Sequence, residues 1–312
     1  QQPRLHDRPG LRTAAHVCRI LMLLGFADTE PLAAELAGAL DCAFALIDVH
    51  PFPDGESRVR LPTELPERVI LCRSLHHPNA KLVELMLAAR CARELGARHL
   101  TLVAPYLCYM RQDKAFQPGE AVSQRIVGRF LADHFDAIVT VDPHLHRTSS
   151  LQAAVPVAQA SAVTAARLMG EFLAGRGRRA LLLGPDRESE QWVSVAAQHA
   201  GLDYAVADKV RHGDRAVSIE LPPRGYEGLD VVLIDDVASS GRTLAQAAQA
   251  LRSAGATRVD ALVTHALFSG DSEDTMRAAG VADIWSSNSI THASNAFSVA
   301  PALAAALRDQ AS

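Results

Sequence analysis

The sequence of 312 residues is short of several things, and each shortage closes off a class of protein. There are five cysteines (Cys18, Cys42, Cys72, Cys91 and Cys108), an odd number, all in the first third and without a CxxC pair. That pattern supports neither a disulfide framework nor a zinc site, and reads as buried thiols in a reducing compartment. No apolar run approaches the roughly 20 residues of a membrane helix. The run at residues 20–24 is too short for the core of a signal peptide and reads as a first strand. With 31 Lys and Arg against 35 Asp and Glu, the net charge is −4. No basic excess marks a nucleic-acid-binding face. There is also no GxxxxGK[ST] stretch, so a P-loop is excluded.

What is present is ordinary for a globular protein: 48% apolar and 21% charged residues, enough chain for one large or two medium domains. Residues 1–16 lack periodicity and read as a lead-in. Short continuous apolar runs then recur at residues 20–24, 44–49, 69–72, 100–104, 137–141, 180–183, 204–207, 231–234 and 261–268. Such runs suit strands covered on both faces. Helical patterns lie between them. One is expected from an Asn79 cap to Leu95 and is ended by Gly96; another follows a Ser123 cap, with Ile126, Val127, Phe130 and Leu131 as its apolar stripe. A third runs over residues 244–254 and is closed by Gly255. Alternation of this kind predicts parallel α/β sheets. Periodicity is weakest at residues 147–156, which divides the chain into domains at 17–152 and 153–312.

The densest chemistry lies at residues 231–244, VVLIDDVASSGRTL. A buried strand ends in Asp235 and Asp236, the end at which open α/β sheets bind ligands. Small and hydroxylic residues follow, and then a helix whose first amides have no partner within the helix. Gly241 lets the backbone approach a phosphate, and the hydroxyls add donors. The paired acids would repel a phosphate but suit sugar hydroxyls. A phosphorylated ribose carries both groups. Lys209 and Arg211, two residues apart just after a strand, point the same way if the segment is extended, and two such cations can grip phosphoryl oxygens.

Residues 231–244 resemble the PRPP-binding loop shared by type I phosphoribosyltransferases and ribose-phosphate pyrophosphokinases (PRPP synthetases), and alone do not choose between them. The first half chooses. Residues 50–56 read HPFPDGE, residues 106–113 read YLCYMRQD followed by KAFQPGEAVSQR, and residues 141–144 read VDPH. These are similar, in order, to the pyrophosphokinases' FxDGE loop, YxRQD loop with its flexible continuation, and DxH turn. In the second half, Gly184, Pro185 and Asp186 stand at their PD turn and DKVR at 208–211 at their lysine–arginine pair. Residues 288–290 and the ending FSVAPALAAAL are also similar. The likeness runs from about residue 18 to 309, whereas plain phosphoribosyltransferases are shorter and lack the FxDGE and YxRQD parts.

The resemblance implies an α/β chain of two type I phosphoribosyltransferase-like domains, each a mainly parallel sheet flanked by helices, with the last helix packing on the first domain. It implies transfer of the β,γ-diphosphoryl group of ATP to the 1-hydroxyl of ribose 5-phosphate, giving PRPP and AMP, with Mg²⁺ as the cofactor. Lys209 and Arg211 would be catalytic. Phe52, Asp54, Glu56, Arg111, Gln112 and Asp113 would bind ATP, the first three across a subunit boundary. Asp235, Asp236, Ser239, Ser240, Gly241, Arg242 and Thr243 would bind ribose 5-phosphate. His144 and Asp186 would hold the metal, with His146 a competitor for His144. A cytoplasmic homo-oligomer built on a dimer is implied, acting on small molecules and on neither nucleic acid nor membrane. The PGEAVS loop is closer to the archaeal-type members, which are generally less dependent on phosphate activation and ADP inhibition.

Three departures stand against the family pattern: the replaced flexible loop; the phosphate loop, which lacks the usual acid and carries Arg242; and residues 184–192, GPDRESEQW, where small residues are usual. Arg242 binds a further phosphate or points to solvent. Arg187, Glu188 and Glu190 pair on a helix's first turn or reshape the sugar pocket. Two other readings remain open: a diverged homologue acting on a different pentose phosphate, and a non-catalytic regulatory relative.

Overall fold

The computed structural model of the chain describes residues 20–145, 147–212 and 216–311, with the side chains of residues 210–218 and 311 outside that description. The lead-in at residues 1–16, Cys18 and His146 lie outside the described residues. The first part of the chain forms β1 (Leu21–Gly25), α1 (Glu30–Leu40), β2 (Ala43–Leu46), β3 (Asp48–Pro51), β4 (Ser57–Arg60), β5 (Arg68–Cys72), α2 (Pro78–Glu94), β6 (His99–Ala104), α3 (Ser123–Ala132), β7 (Ala137–Val141), α4 (Leu151–Ala154) and β8 (Gln159–Val163). The rest forms α5 (Ala166–Gly175), β9 (Leu181–Gly184), α6 (Glu190–Ala200), β10 (Tyr204–Val206), β11 (Asp208–His212), β12 (Ala216–Glu220), β13 (Asp230–Ala238), α7 (Arg242–Ser253), β14 (Arg258–Ala266), α8 (Ser272–Ala278), β15 (Val281–Ser287), β16 (Asn295–Phe297) and α9 (Ala300–Ala311).

Two six-stranded sheets result, ordered β2-β1-β5-β6-β7-β8 and β10-β9-β13-β14-β15-β16. Every pairing within them is parallel. The order is the same in both. Each sheet also has a two-stranded antiparallel hairpin, β3–β4 or β11–β12, inserted after its second strand. The two halves therefore share one topology, which hydropathy alone does not reveal.

Successive strand residues face opposite sides, so each apolar run feeds two cores. In the first sheet Leu24 and Leu71 pack with Leu85 and Ala88 of α2 and Leu131 of α3. Their neighbours Leu23 and Ile70 pack with Leu32 and Leu36 of α1 and with Val299 and Leu303 at the other end of the sequence. In the second sheet Leu233 packs with Leu244 and Leu251 of α7, while Val232 and Ile234 pack with Met169 of α5 and Trp192 and Val193 of α6.

Several local expectations are corrected. The run at 44–49 is not one strand: the chain leaves the first sheet after Leu46 and pairs as β3 with β4. Neither expected cap acts as one. His77 precedes α2 without a side-chain cap, and Asn79 instead accepts a hydrogen bond from the Tyr109 hydroxyl at 2.5 Å. Ser123 is already inside α3, and its hydroxyl donates to Gln112 Oε1 at 3.1 Å. Ile126 is 54% exposed, because the buried face of α3 runs through Gln124, Gly128 and Leu131. The helix expected from residue 244 begins at Arg242. Lys209 and Arg211 lie just after β10, as expected, in the extended strand β11. β8, an edge strand with only a half-buried face, continues the first sheet beyond the division expected after residue 152.

Candidate active site

Both sheets change winding direction beside their first strand, β1 or β9, and open α/β sheets place their ligands at such a switch, beyond the carboxyl ends of the strands. In the second sheet the switch lies between β9 and β13. Asp186 follows β9, and Asp235 and Asp236 end the apolar part of β13. These residues line one cavity of about 850 Å³ together with Arg111 and His144 of the first half and Lys209 of β11.

A smaller space of about 280 Å³ opens beside it, lined by Ser239, Ser240, Gly241, Arg242 and Thr243. Arg111, Lys209, Asp235, Val237 and Thr243 border both spaces. Gly241 precedes α7 at φ 68°, and a Cβ there would meet Ser272 O at 2.9 Å and Met276 Cγ at 3.1 Å. Only a glycine fits that turn, which leads into the open amides of α7. Arg242 is exposed at the start of α7 and borders this smaller space. Lys209 Nζ stands 3.5 Å from Thr243 Oγ1 and 3.9 Å from Asp186 Oδ2. The backbone of Arg211 lies two residues along the same strand, and its side chain is outside the described residues.

Asp186 is fixed by its own backbone. Its Oδ1 accepts from Glu188 N at 3.1 Å and Ser189 N at 3.3 Å, capping the short 3₁₀ turn Arg187–Ser189. Arg187 Nε donates to Asp208 Oδ1 at 2.6 Å, and both Arg187 and Glu188 border the larger cavity. From the first half, His144 Nδ1 meets Asp236 Oδ2 at 3.1 Å. Asp236 is 6% exposed, and burial alone would push its carboxyl up. The hydrogen bond and charge of His144, with His265 and Asp235 adding to them, outweigh that and hold it down. Burial, then repulsion from Asp236 and Asp186, pushes Asp235 well above the usual carboxylate range.

Those facing carboxylates test the fit of a divalent cation. Among the described residues no group of three or more His, Cys, Asp or Glu side chains is placed to hold an ion alone. Mg²⁺ does not require one, since it keeps several waters and takes one or two carboxylates together with substrate phosphates. His144 and Asp186 border the same cavity as the mutually repelling Asp235 and Asp236. This donor set fits a hydrated cation that shares its ligands with a phosphorylated substrate.

The remaining expected residues do not all converge. Arg111 borders the main cavity and, with Gln112, a narrower space of about 200 Å³ beside Tyr106 and His265. Asp113 turns away: its Oδ1 accepts from Arg147 Nη1 at 2.7 Å, which ties the loop to the segment after β7. Phe52, Asp54 and Glu56 sit at the exposed tip of the β3–β4 hairpin and border none of these spaces. Sequence reasoning missed Glu220, which pairs with Asp208 across the β11–β12 hairpin and borders the cavity. The alternating AVSIE run could have signalled that second strand. It also missed Gln124, buried in α3, whose Nε2 donates to Met110 O at 3.0 Å and props the loop carrying Arg111.

Comparison with known proteins adds to this geometry. The family model described as the N-terminal domain of ribose phosphate pyrophosphokinase matches residues 21–134, and that of the phosphoribosyl transferase domain matches residues 148–302. A ribose-phosphate pyrophosphokinase of Methanopyrus kandleri is 35% identical over 93% of this chain and 99% of its own length. Ribose-phosphate pyrophosphokinase 2 of Archaeoglobus fulgidus is 34% identical over 92% and 97%. The enzyme of Saccharolobus solfataricus is 31% identical over 86% and 93%. The crystal structure of phosphoribosylpyrophosphate synthetase from Mycobacterium smegmatis superposes with a TM-score of 0.78 at 23% identity, over 93% of this chain and 98% of that one, a likeness of fold.

Proposed function

The chain belongs to the ribose-phosphate pyrophosphokinase family, and from that premise we propose that it transfers the β,γ-diphosphoryl group of ATP to the 1-hydroxyl of ribose 5-phosphate, giving PRPP and AMP. The observation that carries the reading is the wall shared by the two spaces. The space at the Ser239–Thr243 loop and the Arg111–Lys209–carboxylate cavity are bordered by the same five residues. A sugar phosphate seated on the loop has its reactive end in the larger cavity.

In this reading the 5-phosphate lies on the loop amides and hydroxyls at the start of α7, and Asp235 and Asp236 accept hydrogen bonds from the ribose hydroxyls. The ribose 1-oxygen gives its proton to solvent and bonds to the β-phosphorus. The bond from that phosphorus to the α,β-bridging oxygen breaks, and AMP leaves. Lys209, with Arg211 on the same strand, neutralises charge on the transferred oxygens, and Arg111 grips the nucleotide phosphates. Such transfers depend on positioning and charge neutralisation more than on covalent chemistry. His144 and Asp186 would hold Mg²⁺, which when bound supplies charge neutralisation at the phosphates. The exposed Phe52 hairpin supports a homo-oligomer in which one subunit's hairpin completes the nucleotide site of its partner, with Asp54 and Glu56 contributing. A second half that carries the sugar phosphate and action in the cytoplasm complete the proposal. No helix among the described residues is long and apolar enough to cross a membrane.

The test measures AMP and PRPP together from ATP, Mg²⁺ and ribose 5-phosphate. Lys209→Ala is expected to lower kcat on the order of 10²–10³-fold, as removal of a charge-stabilising donor does. Equal turnover in the two proteins, or AMP formed only with another pentose phosphate, sinks the reading.

A further inference from the structure

The GPDRESEQW stretch sets this chain apart from the family pattern, and its last residue has a partner that the reaction reading leaves unused. Trp192 is 7% exposed on α6, with its ring in the apolar core of the second sheet beside Met169, Leu182 and Val232. Its indole Nε1 leaves that core and donates to Asp142 Oδ1 at 2.9 Å. Asp142 belongs to the other sheet, immediately after β7. Its second oxygen accepts from Thr264 Oγ1 of β14 at 2.9 Å and from Ala165 N at 3.0 Å. Two of the three donors thus come from the second half, one from α6 and one from β14. The carboxylate is 7% exposed, so water cannot readily replace a lost donor. The backbone of Asp142 is held at φ 36°, a left-handed conformation that an aspartate keeps only when its surroundings enforce it. Two residues later the chain delivers His144 to Asp236 of the second sheet.

We propose that Trp192 and Thr264 clamp Asp142 across the two sheets, and that this clamp sets where His144 stands relative to Asp236 and Lys209. Trp192 is then a positioning residue for diphosphoryl transfer. The proposal rests on the reaction assigned above. The sugar-phosphate loop and Lys209 both belong to the second half, so loosening the clamp leaves ribose 5-phosphate binding intact. It shifts His144, which the first half delivers, away from the transferred phosphorus.

Steady-state kinetics on Trp192→Phe and Thr264→Val test this. Trp285→Phe serves as a control, being the other tryptophan of the same core, 8% exposed. A misplacement of about 1 Å can cost up to ~10²-fold in turnover, so both clamp variants should lose about tenfold or more in kcat with KM for ribose 5-phosphate changed less than about threefold. Trp285→Phe should keep kcat near the wild-type value. Thr264→Val preserves shape, so it reads the clamp even if Trp192→Phe does not fold. Wild-type kcat in both variants, or an equal loss in Trp285→Phe, overturns the clamp. If wild-type protein forms no PRPP, the reaction reading fails separately, and denaturant unfolding then judges the clamp. Trp192→Phe should destabilise an Asp142→Asn background less than the wild type, and equal losses in the two backgrounds overturn it.

Discussion

His76 and Lys81 share a confined space at the end of β5. Lys81 Nζ lies 2.6 Å from Asp28 Oδ2, 2.9 Å from Ser74 O, and 3.3 and 3.4 Å from the two ring nitrogens of His76. Burial first, then the Lys81 cation, pushes the His76 imidazole down from its ordinary 6.5 to about 4, with His77 and Arg73 adding to the push and Asp28 opposing it. The imidazole is therefore neutral in the folded chain and binds its proton more readily in the unfolded one. Its contribution to stability is complete above pH 6.5 and is lost as the pH falls from 6.5 towards 4. Melting temperatures across that window should fall more steeply for the wild type than for His76→Gln, and parallel curves would count against this account. The same scale shows where single residues mislead. Asn79 and Ser123 have the chemistry of helix caps, but a tyrosine hydroxyl and a glutamine oxygen claim their side chains. Both competitors lie on another segment, so nothing local in the sequence announces them.

Among elements, the central strands were the most legible, because burial on both faces demands an unbroken apolar run. The runs that became β5, β6 and β7 show this. The hairpins were not legible. β3 and β4 read DVHP and SRVR, half exposed, and take their strand character from each other rather than from a core. β8 escaped for the same reason at the sheet edge. In the candidate site, the strand–acid pair–loop unit at β13 could be read because one continuous segment carries it. The meeting of His144 with Asp236, residues from two different sheets, could not. The loop between β13 and α7 makes its own prediction. Gly241→Ala must strain a φ of 68° and push against Ser272 O. It should cost about 1–3 kcal/mol in thermal or denaturant unfolding. KM for ribose 5-phosphate should rise by about tenfold as loop donors are displaced. Unchanged KM would mean that the loop does not hold the phosphate.

At the scale of the molecule, the two halves repeat one topology and are fastened at several places. Ser74 Oγ donates to Ser289 O at 2.6 Å, Thr291 Oγ1 to Asp28 O at 3.1 Å and Asn288 Nδ2 to Glu35 Oε2 at 3.2 Å. The deepest fastening is α9, which crosses back to cover the face of the first sheet beside α1. Leu303 is fully buried there against the first sheet. Leu303→Ala should therefore cost about 2–5 kcal/mol. Hydrogen exchange should show the lost protection in β1 and β7, far away in sequence, rather than in β13. A loss confined to the second sheet would contradict this packing. The placement of α9 also bears on how the chain is made. β8 ends at residue 163 and α9 at residue 311, so 148 residues (311 − 163) separate the last strand of the first sheet from the helix that covers it. At about 5–20 residues per second, a ribosome takes roughly 7–30 s over that stretch. Throughout that interval the nascent first half holds Leu23, Ile70 and Val139 without their final cover. The earlier of the two sheets to be translated is thus the later to be sealed.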